Sequence, residues 1–146
     1  MAGERPCPFC AIAHGEAPAE VVYEDAATLA FLDRSPLAVG HCLLIPRAHV
    51  ASLFEADDPT VTALALAART LAIALKAAFA ADGVFVAQNN GVSQSVPHLH
   101  THLVPRTFGD KLFSGGSMVW KRVRYRDDPH RGETAEKIRA ALAASA

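Results

Sequence analysis

Net charge is nearly absent from this sequence, because 14 Lys and Arg residues are balanced by 15 Asp and Glu residues, for a formal net charge of −1. Such a chain has no overall field that would hold nucleic acid or an anionic membrane, so any anion-binding site must be local. A small phosphorylated ligand therefore fits better than a polymer. We expect no nucleic-acid partner and no membrane partner.

Cysteine is scarce, and an export signal is not evident. The three cysteines are an odd number, and residues 1–8 hold an acid and two prolines where a signal peptide needs an apolar core. These features argue against a disulfide framework and predict a reducing, cytoplasmic compartment. The most apolar run, Val61 to Ala81, is interrupted by Arg69 and Lys76, each costing about 3 kcal/mol at a bilayer centre. We interpret it as a helix of a soluble protein.

The 146 residues, 51% of them hydrophobic, suffice for one domain spanning residues 1–146. Alternating and β-branched runs predict strands at 21–23, 28–32, 40–47 and 84–87, with a fifth around 97–105. One long helix is predicted between an N-cap at Asp58, followed by Pro59 at the first helical position, and a C-terminal stop at Asp82-Gly83. Its apolar stripe is Val61, Leu64, Ala68, Leu71, Leu75 and Phe79. Short helices are expected from Ile12 to Pro18, ending near Gly15, and from Glu133 to Ala144. The predicted fold is α+β, a five-stranded antiparallel sheet with the long helix on one face.

Three histidines occupy every second position in the stretch from Pro97 to Pro105, at His98, His100 and His102. An extended strand sends alternate side chains to one face, whereas a helix would spread the three over about 400°, at about 100° per residue. Imidazole titrates near pH 6.5, so a neutral ring can attack phosphorus or bind metal, while a protonated neighbour can bind phosphate oxygens. A single histidine on a strand is usually structural. Three aligned rings after the polar residues 89–95 predict a functional site.

The motif resembles the signature of the histidine triad family, His-x-His-x-His followed by two apolar residues, here Leu103 and Val104. Gln94-Ser95-Val96 before it and Pro105-Arg106 after it resemble the family too. The resemblance covers residues 7–106 and leaves 107–146 as a C-terminal extension. It implies a nucleotide-binding hydrolase or transferase that forms a homodimer. Because the last triad position is His102, where uridylyltransferases of the family typically have Gln, hydrolysis is favoured, in a Hint-like phosphoramidase or a dinucleoside polyphosphate hydrolase.

The resemblance also implies roles for individual residues. His100 would attack the α-phosphorus of a purine nucleotide, and water would cleave the nucleotidyl-histidine to release AMP. Asp33 would accept the ribose hydroxyls. The other residues expected around the phosphate or in support of His100 are His41, Asn89, Ser93, Gln94, Ser95, His98 and His102. The base would lie among Phe9, Ile12, Phe31 and Leu43, which are also ordinary core residues. The alternative is a regulatory or scaffold protein that binds nucleotide without turnover.

A Cys-x-x-Cys pair, Cys7 and Cys10, lies at the start of the region that resembles the family. Two thiolates on a tight turn can reach one metal ion, whereas a redox role needs a preceding strand, for which there is no room before residue 7. Some family members hold zinc with such a pair, and this resemblance implies His49 and His98 as the remaining ligands of a structural zinc. The alternative is two free buried cysteines. Cys42 is expected in the core.

The C-terminal extension is locally basic. Seven of the 14 basic residues lie between Arg106 and Arg131, against three aspartates. Two interpretations remain open: a solvated tail, or a segment that crosses a dimer interface and contributes to substrate choice.

Overall fold

The computed structural model describes residues 6–113 and 121–145, so residues 114–120 of the basic extension lie outside the described ranges. Within them the chain forms five strands and three α-helices. The strands are β1 (Val21–Glu24), β2 (Thr28–Leu32), β3 (Cys42–Pro46), β4 (Gly83–Ala87) and β5 (Thr101–Arg106). The helices are α1 (Pro8–Ala13), α2 (Asp58–Ala78) and α3 (Asp128–Ala144), with a 3₁₀ turn at Leu53–Glu55.

The strands form one antiparallel sheet in the order β1-β2-β3-β5-β4, with β3 at its centre. This confirms the predicted fold. One sheet face, with Leu44 and Leu103, packs against α2 and α3, while the other, with Phe31 and Leu43, packs against Phe9 of α1. Since both faces are covered, β2 and β3 are buried along their whole length, and for β3 the near-continuous apolar run in the sequence predicts this.

Helix α2 is the long helix expected from the apolar stripe, with two local differences. Its N-cap is Asp57, one residue before the predicted Asp58, and the Asp57 carboxylate accepts from Thr60 N at 2.9 Å. The apolar stripe was expected to pack on the sheet or on a partner, and its first member, Val61, is 40% exposed here, because the first turn lies at the surface and burial begins at Leu64. By length and composition alone α2 could span a membrane, but here it packs along the sheet and α3.

Both terminal helices begin earlier than predicted. Helix α1 covers Pro8–Ala13 instead of residues 12–18, because Cys7 acts as its N-cap and Pro8 takes the first helical position. Helix α3 starts five residues before Glu133, because Asp127 caps it by accepting from His130 N at 2.8 Å. The shift in α1 matters for the site, since it places Phe9 and Cys10 on a helix instead of a loop.

The triad strand is shorter than its histidine pattern suggests. Strand β5 begins at Thr101, so only His102 lies in the ladder, and His98 and His100 precede it. The ladder stops because Pro46, at the end of β3, has no N–H to donate, and its carbonyl oxygen instead accepts from His98 Nε2 at 2.9 Å. The alternation of faces persists nevertheless: Leu99 is buried in the core under α2, opposite the three rings.

Candidate active site and metal centre

A cavity of about 370 Å³ lies between α1 and the sheet face that carries the triad. One wall is apolar and consists of Phe9, Ile12, Phe31 and Leu43. The polar side includes Asp33, Ser95, His100, His102 and Arg122. The Phe9 ring meets the Phe31 and His100 rings edge-on, with centroids 5.3 and 5.2 Å away. A concave site of this size with a few convergent polar groups suits one small ligand.

His100 lies at the polar end of the cavity with only 3% of its surface exposed. Its Nδ1 lies 2.7 Å from the main-chain oxygen of His98. A carbonyl oxygen can only accept, so the proton of the neutral ring is on Nδ1. Nε2 therefore keeps its lone pair and can act as a nucleophile.

His102 is held in the opposite tautomer by a chain of hydrogen bonds through His41. Leu37 N–H donates to His41 Nδ1 at 3.0 Å, which leaves the His41 proton on Nε2. That Nε2–H donates to His102 Nδ1 at 2.9 Å. The His102 proton is consequently on Nε2, so His100 and His102, which both line the cavity with ring centroids 5.1 Å apart, are held in opposite tautomers.

The protonation states of His41 and His102 agree with this series of hydrogen bonds. Burial lowers the pKa of His41 to about 3 and that of His102 to about 4, so both rings are neutral at pH 7. Asp33 Oδ2, 3.7 Å from His41 Nε2, opposes the shift but does not offset desolvation. A hydrogen-bond donor at His102 is therefore neutral, in contrast to the protonated neighbour that the histidine pattern suggested.

A second cluster lies at the start of α1, next to the cavity. The Sγ atoms of Cys7 and Cys10 and the Nδ1 atoms of His49 and His98 all lie within 4.8 Å of one another. Cys7 Sγ to His98 Nδ1 and Cys10 Sγ to His49 Nδ1 are both 3.3 Å, and Cys10 Sγ to His98 Nδ1 is 3.5 Å. Zinc bond lengths of about 2.3 Å to sulfur and 2.0 Å to nitrogen give about 3.5 Å between such ligands in a tetrahedron. The four residues fit a tetrahedral zinc ion.

The tautomer of His98 supports the same conclusion. Its Nε2–H donates to Pro46 O at 2.9 Å, which leaves Nδ1 unprotonated and directed toward both sulfur atoms. Metal-bound histidines commonly donate their other ring N–H to a carbonyl in this way.

Asp33, His41 and His102 also bring three ligand atoms within 4.8 Å, but they do not fit a metal ion. His41 Nδ1 accepts the Leu37 N–H, so the proton of the neutral ring is held on Nε2, the nitrogen that faces the cluster. A metal ion bound at Nε2 would have to displace that proton, and Nδ1 could not take it up because it already accepts the Leu37 N–H. The Arg122 guanidinium, 2.9 Å from Asp33 Oδ2, would also repel a cation.

Comparison with known proteins agrees with the geometry. Residues 14–109, about two thirds of the chain, match the HIT domain. The chain belongs to the histidine triad family. An uncharacterised HIT-like protein of Mycobacterium tuberculosis is 38% identical over 140 residues, with 94% of each chain covered. A zinc-bound histidine triad family protein from Mycobacterium smegmatis has a TM-score of 0.82 and 39% identity, covering 96% of this chain and 95% of its own.

A relative with a named activity is the adenosine 5'-monophosphoramidase of Saccharomyces cerevisiae. It is 40% identical over 102 residues, which cover 68% of this chain and 62% of that protein. The matched HIT region includes the complete triad.

Of the residues expected around the phosphate or in support of His100, Ser95 and His102 line the cavity, whereas His41 contacts His102 and His98 contacts His100 from behind that lining. Three further residues are expected at the phosphate but lie elsewhere. Within the described part of the chain, Asn89, Ser93 and Gln94 do not line the cavity. Gln94 shapes its own loop, since its amide donates to Ala51 O at 2.6 Å and its Oε1 accepts Gly91 N–H at 3.0 Å. Ser95 is the residue of this loop that reaches the cavity.

Sequence reasoning did not identify Arg122 as a residue of the site. Its guanidinium lies against Asp33 although 89 positions separate the two residues. The basic run at 121–126 was the available signal. That run does not tell which arginine turns inward.

The buried histidines predict acid sensitivity. An unfolded histidine titrates near pH 6.5, and His41 is held well below that, so its stabilisation is present above pH 6.5 and is lost as the pH falls toward 3. At pH 5 one such residue costs about 2 kcal/mol. Urea unfolding at pH 7.5 and 5.0 should therefore show a smaller acid loss in His41→Gln than in wild type. His14→Gln, at an exposed position, is the matched control. If wild type and His41→Gln lose the same stability on going to pH 5.0, a buried neutral His41 is contradicted.

Proposed function

We propose that this protein is a nucleotide hydrolase that cleaves purine nucleoside phosphoramidates or diadenosine polyphosphates at the α-phosphorus through a nucleotidyl-His100 intermediate. One observation carries the proposal: His100, whose neutral ring keeps a lone pair on Nε2, and His102, whose Nε2 carries the proton, line the same cavity. A nucleophile and a donor for the phosphoryl oxygens are the two groups that this chemistry requires.

In the first step His100 Nε2 forms a bond to the α-phosphorus, and the bond from phosphorus to the leaving nitrogen or oxygen breaks. The leaving group takes a proton, for which Ser95, at the cavity wall, is the candidate donor. In the second step water attacks the same phosphorus and its proton restores the Ser95 hydroxyl, while the P–N bond to His100 breaks and AMP departs. The His102 Nε2–H stabilises the charge on the non-bridging oxygens in both steps.

The nucleoside would lie along the remaining wall of the cavity. Phe9, Ile12, Phe31 and Leu43 offer apolar surface for the base, and Asp33 lies at the polar side, where its carboxylate can accept the ribose hydroxyls. Asn89, Ser93 and Gln94 support the phosphate-binding loop from outside the cavity in this proposal.

His100→Ala should lower the rate of AMP release from adenosine 5'-phosphoramidate by about a thousandfold or more, because the variant has no nucleophile. His14→Ala, which changes an exposed histidine outside the cavity, should retain the wild-type rate. Chromatographic measurement of AMP is sufficient. Equal rates for wild type and His100→Ala would exclude the mechanism, and AMP binding without turnover by wild type would favour the nucleotide-binding scaffold.

We further infer that Cys7, Cys10, His49 and His98 hold a structural Zn²⁺. The ligand distances and the zinc-bound mycobacterial relative support this assignment. When bound, zinc supplies folding energy by joining three distant stretches of chain. Because Phe9 lies between the two cysteines and packs on His100, the same ligands brace the wall of the cavity.

Protein purified without added metal should contain about one zinc ion per chain, measured by elemental mass spectrometry. His49→Ala and Cys10→Ser should lose the metal and unfold at lower temperature, because a closed site needs all four ligands. Cys42→Ala, at the buried cysteine outside the cluster, should keep it. Wild type with less than about a tenth of an equivalent of zinc would refute a structural site.

A homodimer and a cytoplasmic location remain proposals. Strand β4 is an edge of the sheet, its Val86 is 48% exposed, and α2 exposes Leu66 and Ile73, seven residues apart on one side. An apolar edge strand beside an apolar helix face supports pairing with a second copy, which sedimentation equilibrium would detect.

A further inference from the structure

The segment that follows the undescribed residues 114–120 is fixed to the loop beside the cavity. We call residues 121–127 the strap. Val123 N–H donates to Pro36 O at 2.7 Å, and Gly40 N–H donates to the Tyr125 hydroxyl at 3.2 Å. The strap then ends at Asp127, the N-cap of α3. These contacts hold the chain at Val123 and Tyr125, one and three residues after Arg122.

Arg122 is the strap residue that enters the cavity wall. Its Nη1 donates to Asp33 Oδ2 at 2.9 Å and to the main-chain oxygen of Ser35. The Asp33 side chain is only 14% exposed. The Arg122 side chain is 43% exposed, but a guanidinium that donates both to a largely buried carboxylate and to a backbone oxygen is more strongly fixed than one in a fully exposed ion pair.

The hydrogen bonds of Asp33 leave a specific acceptor pattern. Oδ1 accepts Ser35 N–H at 2.9 Å, and Oδ2 accepts the Arg122 donor. Each carboxylate oxygen has two lone pairs, so one remains on each oxygen. The proton on His41 Nε2, 3.7 Å from Oδ2, is already donated to His102. Two acceptor positions on adjacent oxygens match the two donors of a vicinal diol.

We propose that Arg122 is a positioning residue that orients Asp33 toward both ribose hydroxyls and thereby makes the cavity select ribonucleotides over 2'-deoxynucleotides. The inference rests on the proposed function, which assigns the ribose to Asp33. Without the Arg122 donor the carboxylate can turn about its last torsion, because Ser35 N–H holds only Oδ1. The carboxylate can then still accept one hydroxyl, but it no longer presents both acceptors in a fixed direction.

The test compares two probes, AMP and 2'-deoxy-AMP, by titration calorimetry, with the ratio of their dissociation constants as readout. In wild type, 2'-deoxy-AMP should bind about tenfold more weakly than AMP, because it lacks one hydrogen bond to a charged acceptor. Arg122→Met should bring the ratio to within about twofold of one, and Arg122→Lys should restore part of it, since lysine can still donate to Asp33. Both dissociation constants are measured on the same folded protein, so a less stable variant does not change their ratio for that reason alone.

Arg124→Met is the matched control, because it removes the same charge from an exposed position of the same strap and should keep the wild-type ratio. Asp33→Asn should lose discrimination as Arg122→Met does, and the double variant should lose no more than either single one. An unchanged ratio in Arg122→Met, or an equal loss of affinity for both nucleotides, would overturn the inference while Asp33 keeps its role. An unchanged ratio in Asp33→Asn would instead overturn the ribose assignment. Absence of AMP binding to wild type would overturn the proposed function itself.

Discussion

Backbone groups decide which nitrogen of each buried histidine carries its proton, and the site depends on this constraint. Pro46 O fixes His98, His98 O fixes His100, and Leu37 N–H fixes His41, which in turn fixes His102. Because these backbone groups belong to the sheet or to chain held against it, the tautomers are set by the fold. The result is that His100 and His102, which line one cavity, are held in opposite tautomers.

His98 links the metal cluster to the cavity. Its Nδ1 faces the two cysteines, its Nε2 is bound to the end of β3, and its main-chain oxygen orients His100. Phe9 makes a second link, since its ring contacts both the His98 and the His100 rings. The four residues proposed to hold zinc therefore also support the apolar wall and His100, the proposed nucleophile.

Several features could be predicted from the sequence because they rest on local patterns. The sheet, the long helix and the grouping of the triad on one face follow from periodicity, and the four metal-ligand candidates follow from the Cys-x-x-Cys pair with the family resemblance. The limits of α1 and β5 could not be predicted in the same way. They depend on Cys7 as a cap and on Pro46 lying opposite the chain near Leu99, and the second of these is a tertiary relation.

The position of Arg122 could not be predicted either, because it also depends on a tertiary contact. Its pairing with Asp33 depends on where Val123 and Tyr125 attach the strap to the loop 33–40, and no sequence pattern encodes that register. The neutral state of His102 is likewise a consequence of burial and of His41, not of the triad spacing.

Long-range ¹H–¹⁵N NMR correlations of the histidine rings at pH 7, assigned with single His→Gln variants, test the central claim most directly. We expect the neutral ring of His100 to be protonated on Nδ1, and His41 and His102 to be neutral and protonated on Nε2. A neutral His100 ring protonated on Nε2, or a doubly protonated His102, would contradict this assignment.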